Sequence, residues 1–376
     1  MRGRLVCPFC GHGEEPTPQP EPCPSCGVPL RYELPPSKAG WRGRVGRGVW
    51  RYRAFLPAVE PVSLGEGGTP LIPSRWLGPE LGVRLHFKWE GANPSGSFKD
   101  RGASVLVSVL AALGVRRVAD DSSGNAGAAL AAYAARAGLG ATLFVPAHAS
   151  GKKLAQIRAY GAQLVSVPGP RPQATAAAKR ACREDPELAY ASHNESPYFE
   201  TGLRTLAYEL VEDLGGEPPD HVLVPLGGGG LYLGLVQGFR ELMGLGFLPL
   251  LPRVHAVQAE ACAPIARAWQ RGLELPEPVR PERTIAEGVC IPLPPRGREL
   301  LAGLRETGGV ALAVPEEEIE AAWRELPTRE GVYIEPTSAV AVAGLRRLSA
   351  TGVINPGERV VVVLTGTGLK HPLSDA

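Results

Sequence analysis

The sequence predicts an α/β protein of two domains, each a mostly parallel sheet covered by helices, preceded by a small metal-held unit. Three observations carry this. Short β-like runs alternate with helical runs through most of the chain, the pattern of strands joined by crossover helices. The 376 residues are long for one core and suit two α/β domains plus an appendage. Four of the seven cysteines fall in the first 26 residues as two C-x-x-C pairs.

Those pairs define the first unit, residues 1–33. Cys7-Pro-Phe-Cys10-Gly and Cys23-Pro-Ser-Cys26-Gly are separated by a stretch rich in Pro and Glu. Two such knuckles can set four thiolates tetrahedrally around Zn, each following Gly relieving the tight turn. A ribbon without metal, or one used for redox chemistry, has the same spacing. So small a unit lacks a core of its own, and a bound metal would supply its folding energy. Residues 34–48, rich in Gly, Arg and Pro, read as a linker.

Beyond the linker, strands are expected at Arg84–Trp89, Arg116–Ala119, Ala141–Val145, Gln163–Val167, His221–Leu226, Val254–Gln258 and Arg359–Leu364. Helices are expected at Phe98–Leu113 and Ala126–Ala137, with others between the later strands. No internal repeat is evident.

Composition narrows the function classes. Apolar residues make up 44% of the chain, enough for a large core, and 40 basic against 38 acidic residues leave a net charge of +2. Such balance predicts no steering toward nucleic acid or an anionic membrane. The start, MRGRLVCPFC, lacks the basic and apolar segments of a signal peptide, and the longest apolar runs are too short to span a bilayer. The expectation is a cytoplasmic protein whose cysteines form no disulfide framework.

In open α/β sheets ligands bind beyond the carboxyl ends of strands, so the loops there are informative. Four stand out. Asn93-Pro-Ser-Gly-Ser-Phe-Lys99-Asp-Arg-Gly102 opens a helix. Lys99 in its first turn meets a helix dipole that disfavours a cation and helps lower an amine's pKa. A neutral amine is what attacks an aldehyde to form a Schiff base. Asp121-Ser-Ser-Gly-Asn125-Ala-Gly127 lets backbone N–H groups converge on an anion, a carboxylate above all, at a helix start. An ordinary capped helix start accounts for it equally well. Pro225-Leu-Gly227-Gly-Gly-Gly230-Leu places four glycines between an apolar strand and a helix, where a nest of N–H groups suits a phosphate. It matches neither the P-loop nor the dinucleotide pattern. Last, Val361-Val-Val-Leu-Thr365-Gly-Thr-Gly-Leu-Lys370 delivers a hydroxyl at a strand end.

Together these loops resemble the fold-type II pyridoxal-phosphate (PLP) enzymes, the tryptophan synthase β-like fold of doubly wound sheets, and most closely the threonine synthase family. The N-terminal ribbon resembles one found in some of its members. Ser63-Leu-Gly-Glu-Gly-Gly-Thr-Pro-Leu71, Glu335-Pro-Thr-Ser and Leu-Thr-Gly-Thr-Gly-Leu-Lys also resemble family segments. The resemblance implies a large PLP-binding domain of residues 49–95 and 205–376 and a small domain of residues 96–204. It implies that Lys99 carries the cofactor and shuttles protons, with Phe98 beside it. Asn125 would bond the cofactor's phenolic oxygen, while Ser122, Ser123, Gly124 and Asn125 would hold the substrate carboxylate. Gly227, Gly228, Gly229, Gly230 and Leu231 would cradle the cofactor phosphate. Thr365 would face the pyridine nitrogen, a neutral partner that weakens the electron sink and suits β and γ eliminations and replacements. Cys7, Cys10, Cys23 and Cys26 would bind structural Zn. The implied reaction turns O-phospho-L-homoserine and water into L-threonine and phosphate, in a homodimer acting on a small amino acid.

Two departures keep an alternative open, a serine/threonine dehydratase or another β-eliminating or β-replacing enzyme of this fold. The tetraglycine loop and Thr284-Ile-Ala-Glu-Gly-Val resemble dehydratases. Phe199 stands where the family often has Arg, and a substrate phosphate needs cations. Lys152, Lys153, Arg158 and Arg204 are the candidates to replace it. A non-catalytic zinc-ribbon binding protein is the remote third reading, opposed by the intact Lys99 and by the lack of interleaved aromatic and basic residues.

Overall fold

The computed structural model describes residues 2–35, 47–149 and 151–371, apart from the side chains of residues 151–153. Most of the 34–48 linker, and the side chains of Lys152 and Lys153, lie outside the described residues.

The strands along the chain begin with β1 (Arg4–Val6), β2 (Gly13–Glu14), β3 (Arg31–Glu33), β4 (Leu71–Pro73) and β5 (Arg84–Trp89). Then come β6 (Arg117–Asp120), β7 (Gly140–Pro146), β8 (Gln163–Val167) and β9 (Leu188–Tyr190). The last are β10 (His221–Pro225), β11 (Arg253–Ala259), β12 (Ala311–Val314) and β13 (Arg359–Leu364). The first six helices are α1 (Leu77–Leu81), α2 (Lys99–Ala112), α3 (Asn125–Ala137), α4 (Gly151–Ala159), α5 (Arg171–Glu184) and α6 (Pro197–Leu203). The other six are α7 (Thr205–Asp213), α8 (Gly230–Gly244), α9 (Pro264–Gln270), α10 (Gly297–Thr307), α11 (Glu316–Glu330) and α12 (Pro336–Ala350).

The chain divides into two compact units, residues 1–68 with 93–203 and residues 69–92 with 204–376. In the first, β8-β7-β6-β9 form an all-parallel sheet and β2-β1-β3 an antiparallel one. Ala-rich α3 and the β-branched α2 are buried along nearly their whole length, so both read as core helices rather than amphipathic ones. In the second unit the order is β12-β11-β10-β13-β5-β4, parallel except for the edge strand β4. Its central strand β13, Arg-Val-Val-Val-Val-Leu, is the continuous apolar run that burial on both faces demands.

The first unit takes in the N-terminal ribbon, residues 93–95 and, most extensively, residues 49–68, which the sequence places in the larger domain. Hydrogen bonds hold them there. Trp50 Nε1 donates to Ser104 Oγ on α2 (2.7 Å), Ser104 Oγ to the Val62 carbonyl (2.8 Å), and the Val62 N–H to Ser108 Oγ (2.8 Å). The expected boundary at 204 lies one residue from the observed one, Arg204 opening the second unit's share of the chain.

Candidate active site

Lys99 is the first residue of α2 and is half-buried. The loop before it is fixed by its own polar groups. The Gly67 N–H donates to Asn93 Oδ1 (2.9 Å) and the Ser95 N–H to Asp100 Oδ2 (2.8 Å). Lys99 Nζ lies 4.6 Å from the Phe98 ring centre and 5.7 Å from that of Phe199. Phe199 reaches this place because Gly102, one turn beyond Lys99, has no side chain; a Cβ there would stand 2.5 Å from the ring. Ser97, fully buried two residues before Lys99, leaves its hydroxyl without a hydrogen-bond partner among the described residues.

The Ser122–Asn125 loop leaves the carboxyl end of β6 and starts α3. Its cap residue, Gly124, offers no side-chain bond to the helix start, and a Cβ on it would meet only open space. Gly127 is required within the turn, since a Cβ there would lie 2.0 Å from the Ser122 carbonyl. The start of a 13-residue helix, whose first N–H groups have no partner within the helix, thus stands beside Ser122 and Ser123, the kind of place an anion site needs.

The first unit also holds a cluster that sequence reasoning missed. His193, in the loop after β9, has Nδ1 3.3 Å from Asp120 Oδ2, the last residue of β6. Asp121 accepts hydrogen bonds from Thr175 Oγ1 and from the Tyr190 hydroxyl (3.2 Å), with Arg171 at 3.7 Å. The His193 ring meets Phe199 edge-on at 6.1 Å, so His193 and Lys99 flank one aromatic ring. Burial, helped by the charges of Lys99 and Arg171, holds the His193 imidazole well below its ordinary value. Burial pushes the Asp120 carboxyl up against the opposing pull of Asp121, Arg171 and Lys99. Seventy-three residues separate His193 from Asp120, and only the parallel pairing of β6 with β9 joins them, so no spacing could have revealed the pair.

In the second unit β10 and β13 run parallel with Leu223 opposite Val362. The glycine loop and Thr365 therefore leave neighbouring strands at the same end of the sheet. Gly229 caps the 15-residue α8 in the left-handed region (φ 90°) without a side-chain bond. A Cβ on Gly227 would lie 2.6 Å from the Gly288 carbonyl. Leu231 is buried in the first turn of α8. Thr365, 1% exposed, donates to Glu335 Oε1 (2.8 Å), and its hydroxyl lies 3.0 Å from Ser338 Oγ. The four glycines and Thr365 belong to the second unit, Lys99 and Asn125 to the first.

At residues 62–366 the chain matches a family model described as a pyridoxal-phosphate dependent enzyme. A threonine synthase of Methanosarcina acetivorans is 39% identical over 330 residues, 86% of this chain and 80% of that protein. This chain belongs to the PLP-dependent enzymes, in the threonine synthase family. A threonine synthase of Halalkalibacterium halodurans is 38% identical over 342 residues, covering 88% of this chain and 90% of its own. Among solved structures, a threonine deaminase from T.th. superposes with a TM-score of 0.70 at 30% identity, covering 82% of this chain and 94% of that one. A threonine deaminase of Solanum lycopersicum, at 24% identity and TM-score 0.72, shares the fold-type II architecture, with 86% of this chain and 92% of its own covered.

The residues present fit this family's cofactor. The glycine loop is a cradle that any Cβ at Gly227 would disturb, at the uncapped start of a long helix. A half-buried primary amine heads α2, with an unsatisfied buried hydroxyl two residues away. The four N-terminal cysteines fit a metal. Their sulfurs lie within 4.8 Å of one another, and Cys10 and Cys23 stand 3.6 Å apart. Sulfurs tetrahedral around Zn at about 2.3 Å are about 3.8 Å apart. The two knuckles repeat one hydrogen-bond pattern, Gly11 N–H to the Cys7 carbonyl and Gly27 N–H to the Cys23 carbonyl. Burial works against ionisation at Cys7, yet the Cys10 and Phe9 N–H groups bring its thiol down to about 7. Contact with Cys10 pushes Cys26 up to about 12, the effect of sulfurs crowded about one point.

Of the cations named as candidates for a substrate phosphate, Arg204 is buried and its Nη1 is paired with Glu241 (2.8 Å), which sets it aside. Arg158 is exposed on α4.

Proposed function

We propose that this chain is a PLP-dependent threonine synthase, a carbon–oxygen lyase that converts O-phospho-L-homoserine and water to L-threonine and phosphate. The observation that carries the reading is 39% identity with a threonine synthase across 86% of the chain. Lys99 stands intact at the head of α2, as the reading requires.

Bound PLP supplies an electron sink conjugated to the substrate's α-carbon. Lys99 Nζ would hold the cofactor, take the α-proton and a Cβ proton, and return protons to Cγ and Cα as the γ-phosphate leaves and water adds at Cβ. Ser122, Ser123, Gly124 and Asn125 hold the substrate carboxylate at the start of α3, where N–H groups and the helix dipole favour an anion. The Asn125 side chain would donate to the cofactor's phenolic oxygen. The N–H groups from Gly227 to Leu231 would take its phosphate, Phe98 would pack beside Lys99, and Thr365 would face the ring nitrogen. Zn fills the Cys7, Cys10, Cys23 and Cys26 site as a structural ion. The expected division is a larger PLP-binding domain of residues 49–95 and 205–376, a smaller domain of residues 96–204, and the ribbon of residues 1–33. The enzyme is a cytoplasmic homodimer acting on a small amino acid and needing no nucleic acid; no helix among the described residues is long and apolar enough to cross a membrane.

A second reading, serine/threonine dehydratase, rests on Phe199. Its ring, not a guanidinium, stands beside Lys99. Steady-state assays separate the two. Phosphate release with threonine formation from O-phospho-L-homoserine supports the synthase. A 2-oxo acid from threonine or serine, with no turnover of phosphohomoserine, supports the dehydratase and sinks the leading reading.

A further inference from the structure

The ribbon is not a tethered appendage. Leu5, Cys7, Cys23, Leu30 and Tyr32 belong to the same hydrophobic core as α2, α3 and α6. Two contacts join it to α6. The Tyr32 ring on β3 meets the Tyr198 ring edge-on at 5.6 Å, and the Tyr198 hydroxyl donates to the Thr17 carbonyl, in the stretch between the knuckles, at 2.8 Å. Tyr198 is fully buried, so its ring meets Tyr32 inside the core while its hydroxyl reaches out to the exposed Thr17.

The next residue, Phe199, is the ring beside Lys99. α6 has no slack against α2. A Cβ on Gly202 would lie 2.1 Å from the Arg101 carbonyl, and one on Gly102 would strike the Phe199 ring at 2.5 Å. Two glycines, one on each helix, bring the backbones together. A displacement of α6 must therefore move Phe199 relative to Lys99, because close-packed helices shift as bodies rather than deform. The cysteines fix the other end of this chain of contacts, since Cys7 and Cys23 lie in the core and also belong to the four-thiol site.

We propose that the four-cysteine ribbon is a positioning element of the active site: its bound metal holds Tyr32 against Tyr198, and so holds Phe199 over Lys99. Tyr198 is a positioning residue, acting on Lys99 through Phe199. The proposal rests on the reading above, in which the cysteines hold Zn and Lys99 holds PLP. It gives the ribbon a task within catalysis rather than in binding a macromolecule.

The test uses the full-length holoenzyme. Metal content is measured, the metal is stripped with a chelator, and Tyr198→Ala and Tyr198→Phe are made with metal retained. Circular dichroism checks the fold. The readouts are the pH midpoint of the cofactor's visible band and the separate kcat and KM. Stripping and Tyr198→Ala should each lower the midpoint by about half a pH unit, the size of one lost cation–π contact. Each should also lower kcat roughly 10- to 100-fold with little change in KM, as for misplacement by about 1 Å. Tyr198→Phe keeps the ring and should restore the midpoint. An unchanged midpoint and kcat in folded, stripped enzyme and in Tyr198→Ala would overturn the proposal. A holoenzyme free of metal would refute the Zn reading and the metal's role here, while Tyr198→Ala still decides whether α6 positions Lys99. A protein with no visible band overturns the Lys99 reading and this proposal together.

Discussion

Two buried histidines in the second unit make its stability fall with acidification. The Val310 N–H donates to His255 Nδ1 (3.2 Å), so the remaining hydrogen of a neutral His255 sits on Nε2. That Nε2 lies 2.8 Å from His221 Nδ1, and His221 Nε2 lies 3.0 Å from Glu358 Oε2. The chain is satisfied with both rings neutral and has no place for another proton on His255. Burial, with the charge of His221 and Arg253, brings His255 down to about 3, and burial lowers His221 as well. The unfolded state, with histidine near 6.5, binds the proton first as pH falls. The stabilisation is therefore complete above about pH 6.5 and is lost progressively toward the folded value. For His255 alone the loss at pH 5 is about 2 kcal/mol, because pH 5 lies about 1.5 below the unfolded value of 6.5 and still well above the folded value of about 3. Denaturant midpoints from pH 7.5 to 5.0, on this chain and on His255→Gln, measure it. Hydrogen exchange at the Val310 amide gives a local readout, free of the assumption that both units unfold together. The wild-type curve should drop with a slope of one to two protons, and the variant should lose about one of them. Parallel curves for the two proteins, or a wild type that gains stability on acidification, would refute the reasoning.

Further outcomes follow from the geometry. Gly227→Ala forces a Cβ to within 2.6 Å of the Gly288 carbonyl, backbone that has little freedom to yield. Overpacking of about 1–3 kcal/mol should weaken PLP affinity roughly 5- to 100-fold, read by titrating apoenzyme with the cofactor. Lys88, fully buried, donates to Glu209 (2.6 Å), Asp213 (2.7 Å) and the Thr69 carbonyl (2.7 Å). Lys88→Met strands the buried Glu209 carboxylate and should cost about 3–5 kcal/mol in denaturant unfolding, part of which Lys88→Met/Glu209→Gln should recover.

Much of the fold was legible because strands and glycine loops leave local signals. Gln163–Val167, Arg84–Trp89 and Arg359–Leu364 are observed at the bounds the sequence implies, since each is a self-contained β run. The ribbon strands, two or three residues each, and the three-residue β9 are too short to show a period. The placement of residues 49–68 depends on serine hydroxyls of α2, which no pattern in the segment itself announces. In the candidate site, Lys99, the Ser122–Asn125 loop, the tetraglycine and Thr365 were legible because each sits where a strand ends or a helix begins. Phe199 was noticed only as a missing arginine. Its place beside Lys99, and its neighbour His193, depend on helix packing through Gly102 and on two strands pairing across the chain.

The claim on which the rest depends is that Lys99 holds the cofactor. Borohydride reduction of the purified, PLP-loaded protein, followed by peptide mapping, tests it directly. The account predicts a pyridoxyl group on Lys99 and loss of the visible band on reduction, with Lys99→Ala giving neither. A pyridoxyl group on another residue, or on none, would contradict it.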